Sequence, residues 1–143
     1  MKVHATVLLP VGVEVAWARL LDWERQPEWM GDAATVRVIT PQREGPGVRI
    51  AVRTKILGFP LLTDTLEVTE WDPPTRLVMV RRGFVRGRGE WRLDPTDGAT
   101  TFIWREEIRM PLPLLGELVL RLYRPFLRRL MRRSVVRLAA ALR

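Results

Sequence analysis

The last third of the chain constrains its fold most strongly. Residues 112–142 are predicted to form a long helical region with a broad apolar face, and this region follows a run of segments with strand-like alternation. A long amphipathic helix at the end of a sheet protein must lay its apolar face on that sheet. Because a sheet that curves around a helix commonly leaves space for a ligand, the sequence predicts a binding cavity between the two.

The spacing of apolar residues predicts the elements before this helix. Residues 2–9 alternate apolar and polar side chains up to Pro10, and so predict a first strand. Helical spacing then predicts one short helix over 13–21 and a second over 24–30. Period-two alternation predicts further strands at residues 35–39, 48–56, 62–71, 77–81, 84–93 and 100–110. The expected fold class is α+β in a single domain, residues 1–143.

Two glycines and a proline inside these elements need a structural explanation. Gly87 and Gly89 share the inward face of their strand, where they could open cavity volume or permit β-bulges, and we favour bulges. Before Pro125, apolar residues cluster on one side of a straight helix, but that side would continue into arginines beyond the proline. We therefore expect the helix to kink or restart at Pro125.

The order of these elements resembles that of the START/polyketide-cyclase superfamily of helix-grip proteins. Residues 16–22 (Ala-Trp-Ala-Arg-Leu-Leu-Asp) and 27–30 (Pro-Glu-Trp-Met) are similar to the family's opening, V-W-x-x-L-x-D followed by Y-P-x-W. Residues 70–77 are similar to its turn between middle strands, and Leu115-Gly116 and Pro125 also fit its last helix. The resemblance implies a curved antiparallel sheet of six to seven strands wrapped around the terminal helix, with an apolar cavity between them.

The resemblance also implies a range of functions. Family members bind or carry lipids, sterols, quinones and polyketides, and some cyclise and aromatise polyketide chains. Cyclising members usually place several tyrosines, arginines or histidines in the cavity. Here the only tyrosine is Tyr123, and His4 lies on the polar face of the first strand. This departure weakens the enzymatic interpretation.

Composition excludes several kinds of site. The chain has no cysteine and a single histidine, His4, so it contains no disulfide, thiolate metal site, His-based triad or multi-histidine metal centre. We predict no metal and no cofactor. Residues 3–9 alternate instead of forming a continuous apolar signal segment, and no apolar run is long enough to span a membrane. We expect a cytoplasmic protein.

The candidate ligand-binding residues share the faces predicted to point inward. Glu106 is in phase with Phe102 and Trp104, and Asp64 is in phase with Leu62, so either carboxylate could be desolvated and act on a ligand. The alternative is a strand-end position with an arginine partner. Tryptophans on these faces either line a pocket or pack in the core. The predicted set is Trp29, Asp64, Trp91, Trp104, Glu106, Leu122 and Phe126.

The predicted entrance is a set of three segments. It comprises the loops near residues 45–47 and 58–60 together with the second short helix, residues 24–30. Glycine and proline in the two loops favour turns.

The net charge of +8 comes mainly from the terminal helix, which carries eight arginines and one acid, Glu117, between residues 111 and 143. Three interpretations of its arginines are open: they form a solvated face, they dock on an anionic membrane surface, or they bind an acidic partner. We expect the apolar face to be used up in covering the sheet, so that membrane contact would be electrostatic only. No nucleic-acid motif accompanies the helix, and nucleic acid is not a predicted partner. The residues concerned are Arg121, Arg124, Arg128 and Arg132.

Together these features predict a protein that binds or transports a small hydrophobic molecule, such as a lipid, isoprenoid, quinone or polyketide-like compound. An enzyme of the polyketide cyclase or aromatase kind is the first alternative. An interaction protein that uses the basic helix face, with a closed cavity, is the second.

Overall fold

The computed structural model describes residues 1–143. Seven strands form one antiparallel sheet in the order β1-β7-β6-β5-β4-β3-β2. The strands are β1 (Lys2–Leu9), β2 (Ala33–Val38), β3 (Arg49–Ile56), β4 (Phe59–Asp72), β5 (Arg76–Arg82), β6 (Arg86–Thr96) and β7 (Ala99–Arg109). Helix α1 (Val13–Leu20) and a 3-10 helix (Trp23–Glu28) follow β1, and helix α2 (Leu115–Ala141) ends the chain. The predicted helix-grip fold class is confirmed, with a curved sheet around the terminal helix.

Alternation along the strands sorts side chains between a core face and a solvent face. In β7, Phe102, Trp104 and Ile108 are buried, whereas Arg105 and Arg109 are exposed. The core-facing residues of the sheet form a single hydrophobic cluster with the second half of α2. From α2 this cluster includes Leu127, Met131, Val135 and Leu138.

Gly87 and Gly89 are not at bulges. The β6–β7 register runs without a shift from Arg86 opposite Arg109 to Thr96 opposite Ala99, and the register shifts lie in other strand pairs. The prediction of bulges at these glycines was therefore wrong. Gly87 has no side chain because β7 lies too close: a Cβ there would collide with the backbone carbonyl of Glu107.

Helix α2 is continuous through Pro125, so the predicted break there was wrong. The prediction assumed that Leu118, Leu122 and Phe126 face the core, but all three are exposed. The core-facing stripe instead passes through Leu120 and Leu127 on either side of the proline and stays in helical phase from end to end. One unbroken helix therefore satisfies the pattern, without the peptide hydrogen bond that proline cannot donate.

We predict that Gly87→Ala destabilises the fold by roughly 2–4 kcal/mol, because the added methyl overlaps backbone atoms that cannot move without disturbing the β6–β7 ladder. Gly12→Ala is the control, since its new Cβ would meet nothing within 4 Å and would change only the first turn of α1. Urea denaturation measures both. A Gly87→Ala protein as stable as Gly12→Ala would show that β6 and β7 are not this close.

Candidate ligand-binding cavity

A cavity of about 250 Å³ lies between the first half of α2 and one end of the sheet, where strands β3 to β7 begin or end. Eleven of its 15 lining residues are hydrophobic. They come from the end of β3 and the start of β4, the β5–β6 turn, the end of β7, and the α2 segment that includes Val119 and Tyr123. Three of them are also exposed at the surface, Leu61 by 66%, Phe84 by 50% and Val119 by 42%, so the cavity opens to solvent between these segments.

A smaller inner compartment of about 40 Å³ adjoins this cavity, with which it shares Asp32, Thr54, Arg81, Ile108 and Leu127. Its further walls come from the centre of the sheet and from the 3-10 helix, and include Trp91, Trp104, Glu106, Gln26 and Met30. A space of this size accommodates one or two water molecules or a small group on a ligand. The boundary between the two compartments is polar, in contrast to the apolar walls of the outer one.

An ion pair anchors this polar boundary. Arg81 at the end of β5 donates a hydrogen bond from Nη1 to Oδ2 of Asp64, at 2.9 Å. The Asp64 side chain is 2% exposed and the Arg81 side chain 17%. Gly83 leaves the room for the carboxylate, since a Cβ there would collide with Asp64 Oδ1. A buried carboxylate needs such a partner, and Arg81 is therefore largely committed to Asp64.

Glu106 has a different partner. Its Oε1 accepts a hydrogen bond of 2.9 Å from the indole Nε1 of Trp104 on the same face of β7. On the neighbouring strand, Gly89 lies directly opposite, and a Cβ at this glycine would come within 2.9 Å of Glu106 Oε1. The missing side chain at position 89 therefore makes space for Glu106.

Burial raises the pKa of two carboxyl groups at the boundary. For both Asp32 and Glu106 the main cause is loss of hydration, which the positive charge of Arg81 offsets only in part. The charge of Asp32 raises the pKa of Glu106 further. The same two causes, burial and then Asp32, raise the pKa of the Tyr123 hydroxyl. Both carboxyl side chains retain some accessible surface because they face the cavity.

The structure brings together four of the seven predicted site residues. Asp64 lines the outer cavity, and Trp91, Trp104 and Glu106 line the inner compartment. Their contact with a ligand stays a prediction.

The other three predicted residues lie elsewhere. Trp29 is fully buried and lines neither compartment, because its ring packs against Trp91, Phe102 and Trp104 at centroid distances of 6.0–6.3 Å. Leu122 is 73% exposed and Phe126 is 40% exposed, and neither lines the cavity. The prediction that Leu122 and Phe126 line the cavity was wrong, because the core-facing stripe of α2 runs through Leu120 and Leu127.

Sequence reasoning missed three residues of the cluster, Asp32, Arg81 and Tyr123. Strand parity could have found Arg81, which is in phase with the buried Leu77 and Met79. Helical phase could have found Tyr123, three residues from Leu120 on the core-facing stripe. Asp32 lies in the turn before β2, where no periodicity indicates which way a side chain points.

Of the three predicted entrance segments, only the loop near residues 58–60 adjoins the opening. Leu61 and Leu62, in the first part of β4 just after this loop, line the opening, whereas residues 58–60 do not. The loop at residues 45–47 lies elsewhere, held by a hydrogen bond from the Gly47 amide to the carbonyl of Val68. The 3-10 helix lines the inner compartment and not the opening. The β5–β6 turn and α2 complete the entrance.

Two further findings concern metal ions and membranes. No group of three or more histidine, cysteine, aspartate or glutamate side chains is arranged to hold a metal ion. No helix has the length and apolar character required to cross a bilayer.

The raised pKa values predict a specific dependence of stability on pH. A carboxyl group whose pKa is raised by folding stabilises the protein fully when the pH is below its ordinary pKa, near 4.5 for Glu106. This stabilisation is lost as the pH rises through the pKa that the group has in the folded state. We therefore expect the free energy of unfolding of the double variant Asp32→Asn/Glu106→Gln to fall less than that of the wild type as the pH rises from about 4.5 to about 8. Urea denaturation at both pH values measures this.

The control is Glu107→Gln, which removes a glutamate from the opposite face of β7, and it should follow the wild type. If the double variant also follows the wild type over this pH range, the two carboxyl groups are not desolvated.

Comparison with known proteins places this architecture in a family. The fold is similar to that of the protein TTHA0849 from Thermus thermophilus, with a TM-score of 0.81 and 19% identity over 99% of this chain and 97% of that one. It is similar to the Zhui aromatase/cyclase from Streptomyces sp. R1128, with a TM-score of 0.69 and 17% identity over 99% and 90% of the two chains.

A START superfamily protein from Mycobacterium smegmatis gives a TM-score of 0.67 at 16% identity, over 99% of this chain and 93% of that one. No curated protein sequence matches significantly. The profile of one family, described as polyketide cyclase / dehydrase and lipid transport, matches residues 1–143. The chain therefore belongs to the polyketide cyclase / dehydrase and lipid transport family.

Proposed function

We propose that this protein binds a small hydrophobic molecule in the outer cavity, with the polar end of the ligand at the cluster formed by Asp32, Asp64, Arg81 and Glu106. The observation that carries the proposal is the apolar cavity of about 250 Å³ that opens to solvent at one end and reaches buried polar groups at the other. Sites for small molecules typically combine apolar walls with a few polar groups that fix orientation. The cytoplasmic location stays a prediction.

The size of the cavity restricts the ligand. Small-molecule sites usually have volumes of about 300–1,000 Å³, so this one suits a compact molecule or one end of a longer chain that extends through the opening. Burial of apolar ligand surface would drive binding at about 25 cal/mol per Å² before the loss of ligand freedom is subtracted. Lipids, isoprenoids, quinones and polyketide-like compounds all satisfy this requirement.

The charge of the cluster restricts the polar end of the ligand. Three carboxyl groups surround one guanidinium, and the hydrogen bond of Arg81 is already directed at Asp64. A ligand carboxylate would add a fourth acid to the same low-dielectric site, where an uncompensated charge is costly. We therefore propose a neutral polar end, such as a hydroxyl or a carbonyl, in preference to the free carboxylate of a fatty acid.

The same cluster favours a second candidate, an acid–base reaction of the cyclase or dehydratase kind. A carboxyl group with a raised pKa holds a proton that it can donate to a hydroxyl leaving as water, while an ionised neighbour accepts a proton from carbon. Glu106 would be the proton donor and Asp32 the ionised neighbour, since the negative charge of Asp32 raises the pKa of Glu106. The family description names both cyclisation and lipid transport. A binding protein returns its ligand unchanged, whereas an enzyme converts it.

We predict that an organic extract of natively purified protein contains one hydrophobic compound at about one molecule per chain, and that Leu62→Trp abolishes it by filling the outer cavity. Thr63→Trp is the matched control, because it adds the same side chain to the exposed face of the same strand and should retain the compound. Mass spectrometry measures both extracts. An empty wild-type extract with no turnover of offered polyketides, or equal loads in the two variants, would contradict the proposal.

We predict that Glu106→Gln weakens the binding of that compound by roughly tenfold and removes the dependence of affinity on pH, because the proton of this carboxyl group is then no longer available to the ligand. Titration of the extracted compound across pH provides the measurement, with Glu107→Gln as control. Unchanged affinity and an unchanged pH profile would remove Glu106 from the site.

A further inference from the structure

The entrance of the cavity is surrounded by apolar side chains that the fold leaves uncovered. We name the set formed by Phe59, Leu61, Phe84, Leu118, Val119 and Leu122 the apolar collar. Its members are between 42% and 73% exposed. Three of them line the cavity, and the other three are close to these in sequence, at the start of β4 or on α2. A contiguous apolar patch of this kind marks a surface that contacts another molecule or a membrane.

Two further leucines on this side of the molecule are exposed although their backbone conformation is unfavourable for leucine. Leu57, at the β3–β4 turn, has φ 52° and is 63% exposed. Leu114, at the start of α2, has φ 61° and is 83% exposed. Glycine or asparagine adopts this left-handed region more easily than leucine does. No buried contact within the chain compensates for two leucines in such positions.

An arginine groove adjoins the collar. Arg86, Arg88 and Arg109 line it, no acid does, and Met110 lines both this groove and the cavity. Arg86 and Arg109 lie directly opposite each other on β6 and β7. Like charges in this position destabilise a sheet. Arg88 pairs with Glu70 at 3.1 Å, whereas Arg86 and Arg109 form no ion pair within the chain.

We propose that the apolar collar and the arginine groove together dock this protein on an anionic lipid bilayer, with the entrance of the cavity facing the membrane. Apolar side chains enter the boundary between head groups and acyl chains, while the unpaired arginines contact the phosphates beside it. Arg121 and Arg124 are exposed beside Leu122 in the first half of α2 and add positive charge there, and Arg128 and Arg132 follow along the helix. The expectation that the apolar face of α2 is used up in covering the sheet does not hold for its first half.

A second copy of the chain fits this surface less well. Each copy carries a formal charge of +8, so that two collars placed face to face would also bring the two arginine grooves together. A bilayer that contains anionic lipids satisfies the collar and the groove at once. Docking in this orientation would let a hydrophobic ligand pass between membrane and cavity without crossing water, but the surface does not require any ligand in the cavity.

The test is co-sedimentation of the purified protein with phosphatidylcholine vesicles, with and without roughly one-quarter phosphatidylglycerol. We expect binding to the anionic vesicles only, weakened when salt is raised from about 50 mM to about 500 mM. Arg86→Gln with Arg109→Gln should reduce affinity about 20- to 30-fold, and Leu118→Ser with Leu122→Ser about tenfold or more.

The matched controls lie away from the entrance. Arg37→Gln with Arg92→Gln removes the same charge from other parts of the sheet, and Leu8→Ser with Val136→Ser removes exposed apolar residues far from the collar. Both controls should bind as the wild type does, and urea denaturation confirms that every variant is folded. Absence of wild-type binding, or equal loss in the control variants, would overturn the proposal. A dimer in solution that the collar variants abolish, without vesicle binding, would overturn it in favour of self-association.

Discussion

The packing of α2 on the sheet is the interaction on which the rest of the structure depends. In the second half of the helix, Leu127, Met131, Val135 and Leu138 fill the concave face and complete the core. In the first half the core-facing stripe narrows to Leu120 and the partly buried Tyr123, and the sheet is left incompletely covered. The cavity, its entrance and the exposed apolar collar all follow from this difference between the two halves of one helix.

The buried polar groups at the boundary of the cavity lower the stability of the fold. Three carboxyl groups and one guanidinium occupy a site that three or four apolar side chains could fill, and buried ionisable groups of this kind commonly destabilise a protein. Glycines at positions 83 and 89 make room for two of the carboxyl groups, at a further loss of packing. Groups that lower stability and face a cavity are expected where selection maintains a function. This is the physical reason for placing the polar end of a ligand at Asp32, Arg81 and Glu106.

Most of the fold could be predicted from the sequence because alternation and helical spacing are local signals. They gave the strands, the two short helices and the inward faces of β6 and β7, including Trp91, Trp104 and Glu106. They failed for α2, where apolar residues cover more than one side of the helix. Periodicity alone does not say which side meets the sheet, and the side with Leu122 and Phe126 was chosen wrongly. The partner of Asp64 could not be predicted either, because Arg81 lies on another strand, 17 residues further along the chain.

The most direct test of this account is a crystal structure of the protein purified without heat or organic solvent. We expect continuous density for a hydrophobic molecule in the cavity between the start of β4 and α2. Its polar end should lie within about 3.2 Å of a carboxyl oxygen of Asp32 or Glu106. A cavity that is closed by side chains of α2, or that contains only ordered water after the protein has been offered hydrophobic ligands, would contradict it.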